Sequence, residues 1–167
     1  MTILRVDGLS KRYPAFCLRD VSFSIEEGRV MGLIGRNGAG KTTTIKSILR
    51  LVRPDGGTVQ FLGKPLDMDA SALRREAGYV SGDLCYYPRK RLSQLTAVTK
   101  SFYPSWDDKK YEALLHRFSL DETKRVCELS AGMKVKYQLA PAMSHRAELL
   151  ILDEPTSGLD PVSRDEL

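Results

Sequence analysis

No stretch of this chain approaches the ~20 consecutive apolar residues that a bilayer-spanning helix requires, and nothing in it is built as one. The opening Met1-Thr2-Ile3-Leu4-Arg5 does not read as a secretory signal. Only three cysteines occur, Cys17, Cys85 and Cys127, far apart and outside any C-x-x-C spacing. That excludes a disulfide scaffold and fits free thiols in a reducing compartment. The two histidines, His116 and His145, stand alone without a second ligand at metal spacing, which argues against zinc. There is no internal repeat and no low-complexity linker. Nor is there a dense basic stripe. The net charge of +5 comes from scattered Lys and Arg, and Arg89-Lys90-Arg91 is the tightest cluster. A nucleic-acid footprint wants more than this. A solvated face suited to an anionic nucleotide or a membrane surface fits better. Apolar and charged residues, at 42% and 28%, exclude disorder, and 167 residues suffice for one domain with a real core.

What is present is glycine at particular places. Residues 35 to 42 read Gly35-Arg36-Asn37-Gly38-Ala39-Gly40-Lys41-Thr42, a complete G-x-x-x-x-G-K-[ST] string. Before it, Arg29–Ile34 is short and apolar enough for a buried strand. After it, Ile45, Ile48, Leu49 and Val52 recur at helical spacing. A strand turning through glycines into a helix start aims backbone N–H groups, and the positive end of the helix dipole, at one point. A triphosphate fits there. Lys41 reaches the β- and γ-phosphates, and the Thr42 hydroxyl can ligate Mg²⁺. An ordinary glycine-rich turn is the bland alternative, and the Lys-Thr pair in this setting weighs against it.

Along the chain, Ile3–Val6 and Leu18–Ile25 read as strands, the second alternating like a half-buried antiparallel strand. Arg53–Gly57 is a turn and Thr58–Leu62 a strand. Asp69–Ala77 reads as a helix, and Gly78-Tyr79-Val80 opens a short strand. From about Arg91 the pattern is helical, broken at Pro104 and at Asp107-Asp108, which can cap the next helix. Ser130–His145 is a further helix, interrupted by Pro141. Leu149–Leu152 reads as a fully buried strand.

Asp153-Glu154 follows that strand directly and so lies at a carboxyl edge, where α/β sheets bind ligands. Asp153 can hold Mg²⁺ through a water, and Glu154 can orient an attacking water as general base. Leu129-Ser130-Ala131-Gly132-Met133 is the third string. Ser130 can cap a helix whose first N–H groups stay open, a second anion site, although a merely capped helix would read the same.

Taken in order, these residues resemble the nucleotide-binding domain of ABC transporters over essentially the whole chain. Gly35–Thr42 matches Walker A, Leu129–Met133 the signature, Leu149–Glu154 Walker B, and Ser157–Asp160 the D-loop. Tyr13 stands where the family has an aromatic that stacks on adenine. Thr42-Thr43-Thr44, Asp153–Pro161 and Phe102–Asp107 resemble the bacterial group whose ATPase is encoded apart from its membrane subunit. Three departures stand out. Gly82 occupies the place of the family's glutamine, with Asp83 as a possible substitute. Met133 replaces a polar signature residue. The family's switch histidine lies beyond Leu167, which implies a C-terminally incomplete domain with poor solubility and no meaningful turnover.

The resemblance implies an α/β P-loop NTPase fold with a mainly parallel core sheet, an N-terminal antiparallel β subdomain and a helical subdomain inserted at about 91–147. One domain would span 1–167. It implies an ATP-binding and ATP-hydrolysing subunit that uses ATP and Mg²⁺ and powers transport by dimer closure. Gly35, Arg36, Asn37, Gly38, Ala39, Gly40, Lys41, Thr42 and Thr43 would hold phosphate, with Tyr13 on the base. Ser130, Gly132 and Asp160 would complete the partner's site in a dimer of nucleotide-binding domains. Gly82–Lys90, with Tyr86 and Tyr87, would either meet a multi-span membrane subunit or pack those tyrosines on the helical insertion; the chain would be peripheral on the cytoplasmic face, with no nucleic acid bound. A soluble ABC-type ATPase acting on nucleic acid or ribosomes is the alternative, and a P-loop kinase fits poorly.

Overall fold

A computed structural model describes residues 1–66, 70–81, 87–157 and 159. The chain divides into two compact units, Met1–Arg74 and Arg75–Leu167.

The first unit is built on a four-stranded antiparallel sheet. Strands β1 (Thr2–Tyr13), β2 (Phe16–Glu26), β3 (Gly56–Phe61) and β4 (Lys64–Pro65) lie in the order β2-β1-β3-β4. Pro14-Ala15 closes the β1–β2 hairpin, pairing Tyr13 with Phe16. Both first strands extend well past the stretches their alternation marks. Main-chain pairing continues there even though the side-chain pattern is broken by register shifts. Val6, Leu9, Val59 and Phe61 on the sheet are buried, and so are Ile48 and Leu49. Each fully buried aliphatic side chain contributes about 1.5–3 kcal/mol. Ile48 belongs to α1 (Lys41–Ile48), whose first turn begins directly after Gly40.

The segment 29–34 is not a strand. It runs without a ladder, Val30 and Ile34 are 102% and 95% exposed, and Met31 and Leu33 are exposed too. An apolar run becomes a buried strand only when a neighbour pairs with its backbone, and the sheet of this unit closes without it.

In the second unit β5 (Ala77–Ser81) and β6 (Leu149–Asp153) pair in parallel, with Tyr79 opposite Ile151 and Ser81 opposite Asp153. The short helix α2 (Ser71–Glu76) leads into β5. Helices α3 (Leu92–Ser101), α4 (Asp108–Arg117) and α5 (Ala131–Ser144) follow. Three apolar clusters, around Leu92 and Val126, around Val80 and Val135, and around Tyr111 and Leu114, all share Phe118. A polar chain runs through this helical core. Tyr111 Oη donates to Glu122 Oε1 (2.9 Å), since a carboxylate only accepts. The Thr96 hydroxyl therefore gives its proton to Tyr111 (2.7 Å), while Tyr137 lies 3.1 Å from Thr96 Oγ and donates to the Leu92 carbonyl (3.3 Å).

Two expectations fail here for physical reasons. Strand β6 is half-exposed, with Leu150 and Leu152 more than 40% accessible. A continuous apolar run does not say how many faces are covered. Helix α5 passes through Pro141 without interruption. Ala140, Pro141 and Ala142 are buried, and the last carbonyls are capped by side chains. Ser144 Oγ donates to the Ala140 carbonyl (2.6 Å) and His145 Nδ1 to that of Pro141 (3.0 Å). Asp107, as expected, caps α4, accepting from the Lys110 amide at 3.0 Å. No helix among the described residues is long and apolar enough to cross a membrane.

Candidate functional site: the glycine loop and the carboxylate edge

The chain from Gly35 to Thr42 folds as a tight loop onto the start of α1. Ala39 N–H donates to the Arg36 carbonyl (3.0 Å), and Thr44 N–H and Oγ1 both bond the Gly40 carbonyl (2.8 and 3.0 Å). Gly40, the residue before the helix, has φ = 100°, and Gly38 has φ = 80°. Both angles favour glycine. A Cβ on Gly40 would also lie 2.7 Å from Phe16 Cζ and 2.9 Å from Leu18 Cδ1. The Lys41 side chain folds back so that Nζ donates to the carbonyls of Gly35 (3.0 Å) and Arg36 (3.4 Å). An ammonium is thus held over the loop while the helix start beneath it carries no side-chain cap. Arg36, Asn37 and Gly38 are exposed, and Thr42 and Thr43 are half-buried in the first turn. A loop of positive-φ glycines opening a helix, with an ammonium fixed beside it, suits a polyanion.

Tyr13 is brought to the same place. Its ring stacks on Phe16 (centroids 6.5 Å, 29°), and the Phe16 ring lies against Gly40. Tyr13 is 39% exposed. Phe16 was not marked by the sequence pattern. Its position three residues after Tyr13, across a Pro-Ala turn, was the available signal.

In the second unit, Asp153 ends β6 and is buried, while Glu154 takes φ = 50° and is exposed. The left-handed residue bends the chain after β6, and a following turn closes through Ser157 N–H to the Glu154 carbonyl (3.0 Å). Tyr79 Oη donates to Asp153 Oδ2 at 3.5 Å. Burial, then the Asp153 charge, raises the Tyr79 phenol above its ordinary value, so it stays a donor. Tyr79 too escaped the sequence reading; only the parallel register brings it beside the carboxylate.

Ser130 caps α5, accepting from the Met133 amide at 3.2 Å. Ser130 and Ala131 are exposed, whereas Gly132 is buried. Asp160, Gly82 and Asp83 lie outside the described residues, as does the first part of the loop assigned to a membrane partner.

A cavity of about 420 Å³ opens in this unit among Tyr79, Tyr87, Leu95, Val98, Gln138 and His145. His145 is 2% exposed and stacks on Tyr103 (4.0 Å). Its Nδ1 proton is committed to a carbonyl, and Nε2 has no partner among the described residues. Gln138 accepts from Ser81 N–H through Oε1 (3.2 Å), and its Nε2 is likewise unpartnered there.

A phosphate-type loop opening a helix, an antiparallel N-terminal sheet and a carboxylate at a parallel strand's end together define a P-loop ATPase-type fold. The family model described as ABC transporter matches residues 18–157, and the chain belongs to that family. It is 35% identical over 150 residues to the ABC transporter ATP-binding protein YtrB of Bacillus subtilis, covering 90% of this chain and 51% of that protein. The chain therefore spans about half the length of that relative. Among solved structures, an ATP-binding subunit of an ABC transporter superposes with a TM-score of 0.84 at 33% identity, covering 98% of this chain and 71% of that one. CbiO1 from Clostridium perfringens, part of the ABC transporter complex cbiONQ, does so with a TM-score of 0.76 at 28% identity, covering 99% and 70%.

Proposed function

We propose that this chain is the ATP-binding and ATP-hydrolysing subunit of an ABC transporter. The glycine loop carries the reading: two positive-φ glycines and a lysine folded over the loop carbonyls form a cradle before any ligand arrives. Lys41 exchanges those carbonyls for phosphate oxygens, and the amides of Gly38 and of Gly40 to Thr43 bond the rest. Tyr13 supports the adenine. Thr42 by its hydroxyl and Asp153 through a water are each residues of the kind that would hold Mg²⁺, and the ion would supply charge neutralisation to the triphosphate. Tyr79 steadies the Asp153 carboxylate for that task. Glu154 accepts a proton from the attacking water as it advances.

The whole chain acts as one domain, 1–167, with residues 91–147 as its helical subdomain. Ser130, Gly132 and Asp160 of one copy complete the site of a second copy, so that bound ATP closes an isologous dimer. A separately encoded membrane subunit docks on the second unit, with the cavity beside Tyr87 and His145 as its seat, which keeps the chain at the cytoplasmic face of the membrane. The membership of CbiO1 in a larger transporter complex supports such a partner. No nucleic acid is part of this reading.

Glu154→Gln tests the scheme. In the full-length protein Mg-ATP affinity should remain within about two-fold, while phosphate release drops roughly 10²–10⁴-fold for loss of a general base. Blocked hydrolysis should shift size-exclusion elution with Mg-ATP toward the dimer. Normal phosphate release by this variant would place the base elsewhere.

A further inference from the structure

The end of β1 is held by a side chain where its strand partner has turned away. On the β3 side, regular pairing stops at Ser10 opposite Gly56. Asp55 N–H still bonds the Ser10 carbonyl (2.8 Å), and the Arg12 N–H two residues on points to the same side. There the acceptor is a side chain. Asp55 Oδ2 accepts from Arg12 N–H at 2.7 Å, continuing the ladder with a carboxylate. Its other oxygen accepts from Lys11 Nζ at 2.9 Å, and that ammonium stands 5.7 Å from the Tyr13 ring centroid. One carboxylate therefore fixes the backbone just before Tyr13 and the cation beside its ring.

The Tyr13 ring is fixed from the other strand by Phe16, whose far edge lies against Gly40. Aromatic pairs at this separation hold one another in offset planes. Base seat and phosphate loop are thus joined through a single ring.

We propose that Asp55 is a positioning residue for nucleotide binding, and that with Phe16 it holds Tyr13 in register with the glycine loop. The inference rests on the reading of Tyr13 as the base seat. Asp55 is half-exposed, and exposed ion pairs add little stability. Its effect is therefore expected in base recognition, with folding largely untouched.

The test compares two probes on the full chain, ATP and inorganic tripolyphosphate, which has no base. Tyr13→Ala should weaken ATP by about ten-fold, within the range for a base stacked on an aromatic ring. Asp55→Ala should weaken ATP by about three- to ten-fold and leave tripolyphosphate within two-fold. In the Tyr13→Ala background Asp55→Ala should do nothing more, because it acts through that ring. Asp55→Asn keeps an acceptor for Arg12 N–H and should restore most of the loss. Phe16→Leu keeps apolar packing against Gly40 and should lower ATP affinity with the same probe selectivity. Equal loss of both probes, or additive effects of Tyr13→Ala and Asp55→Ala, would overturn the proposal by making Asp55 merely structural. Should Tyr13→Ala itself leave ATP binding intact while Lys41→Ala abolishes it, this inference fails and the phosphate-loop reading stands. Tripolyphosphate binding that ignores Lys41→Ala would instead remove the reading beneath it.

Discussion

Gly40→Ala and Gly38→Ala should separate two kinds of glycine in one loop. Gly38 has φ = 80°, and a methyl added there would meet nothing within 4 Å, so its replacement costs only the backbone conformation. That is about 1–2 kcal/mol for an L-residue in the left-handed region. Gly40 has φ = 100°, and its Cβ would meet Phe16 Cζ at 2.7 Å and Leu18 Cδ1 at 2.9 Å. Leu18 is buried and Phe16 is stacked on Tyr13, so neither side chain moves without loss of packing. Overpacking of this kind adds about 1–3 kcal/mol. The sum for Gly40 is roughly 2–5 kcal/mol, which for a chain of this size corresponds to a melting point lower by about 5–15 °C. Relief by swinging the Phe16 ring would displace Tyr13, so ATP affinity should fall as well. Thermal melts of the parent and both variants decide the matter. Gly40→Ala melting at or above Gly38→Ala would refute the argument.

Thr96→Val removes the middle of the buried hydroxyl chain without orphaning its ends, because Tyr111 keeps Glu122 and Tyr137 keeps the Leu92 carbonyl. Urea unfolding should show a loss of about 0.5–1.5 kcal/mol with an unchanged slope; a loss several times larger would mean the ends depend on Thr96. At high pH three tyrosines, one buried and two half-buried, should govern stability. Tyr79, Tyr103 and Tyr111 are all held above the ordinary phenol value by burial, and Tyr79 and Tyr111 also by neighbouring carboxylates. Folded-state values raised in this direction leave the contribution intact below about pH 10 and remove it as pH climbs further. Phenolate absorbance should therefore rise late and together with unfolding, and full titration near the ordinary value in a folded chain would contradict it.

The loop was legible because its chemistry is local: glycines at fixed offsets, then Lys-Thr, then helical spacing. The same holds for Asp107 and Ser130, whose capping needs only three residues of context. The Arg29–Ile34 stretch shows where local reading stops. Its composition is that of a buried strand, yet strand formation needs a partner, and composition does not name one. Leu150 and Leu152 make the same point for burial, since apolar side chains on both faces of β6 do not say that both faces are covered. Pro141 shows tertiary packing and side-chain caps outweighing a local helix breaker. Phe16, Tyr79 and Asp55 were invisible for a common reason. Each matters through a neighbour supplied by a hairpin, a parallel register or a strand end, 3, 74 and 43 residues away respectively.

The central claim is that the glycine loop is a nucleotide seat whose fixed cation is Lys41. Equilibrium titration of the parent chain and Lys41→Ala with ATP tests it most directly, with melting curves alongside. Loss of charge-assisted hydrogen bonds to phosphate should weaken ATP about ten- to hundred-fold or more, since each is worth about 1.5–3 kcal/mol. The melting point should hardly move, because Lys41 Nζ bonds loop carbonyls at the surface. An unchanged dissociation constant in a folded Lys41→Ala chain would contradict the account.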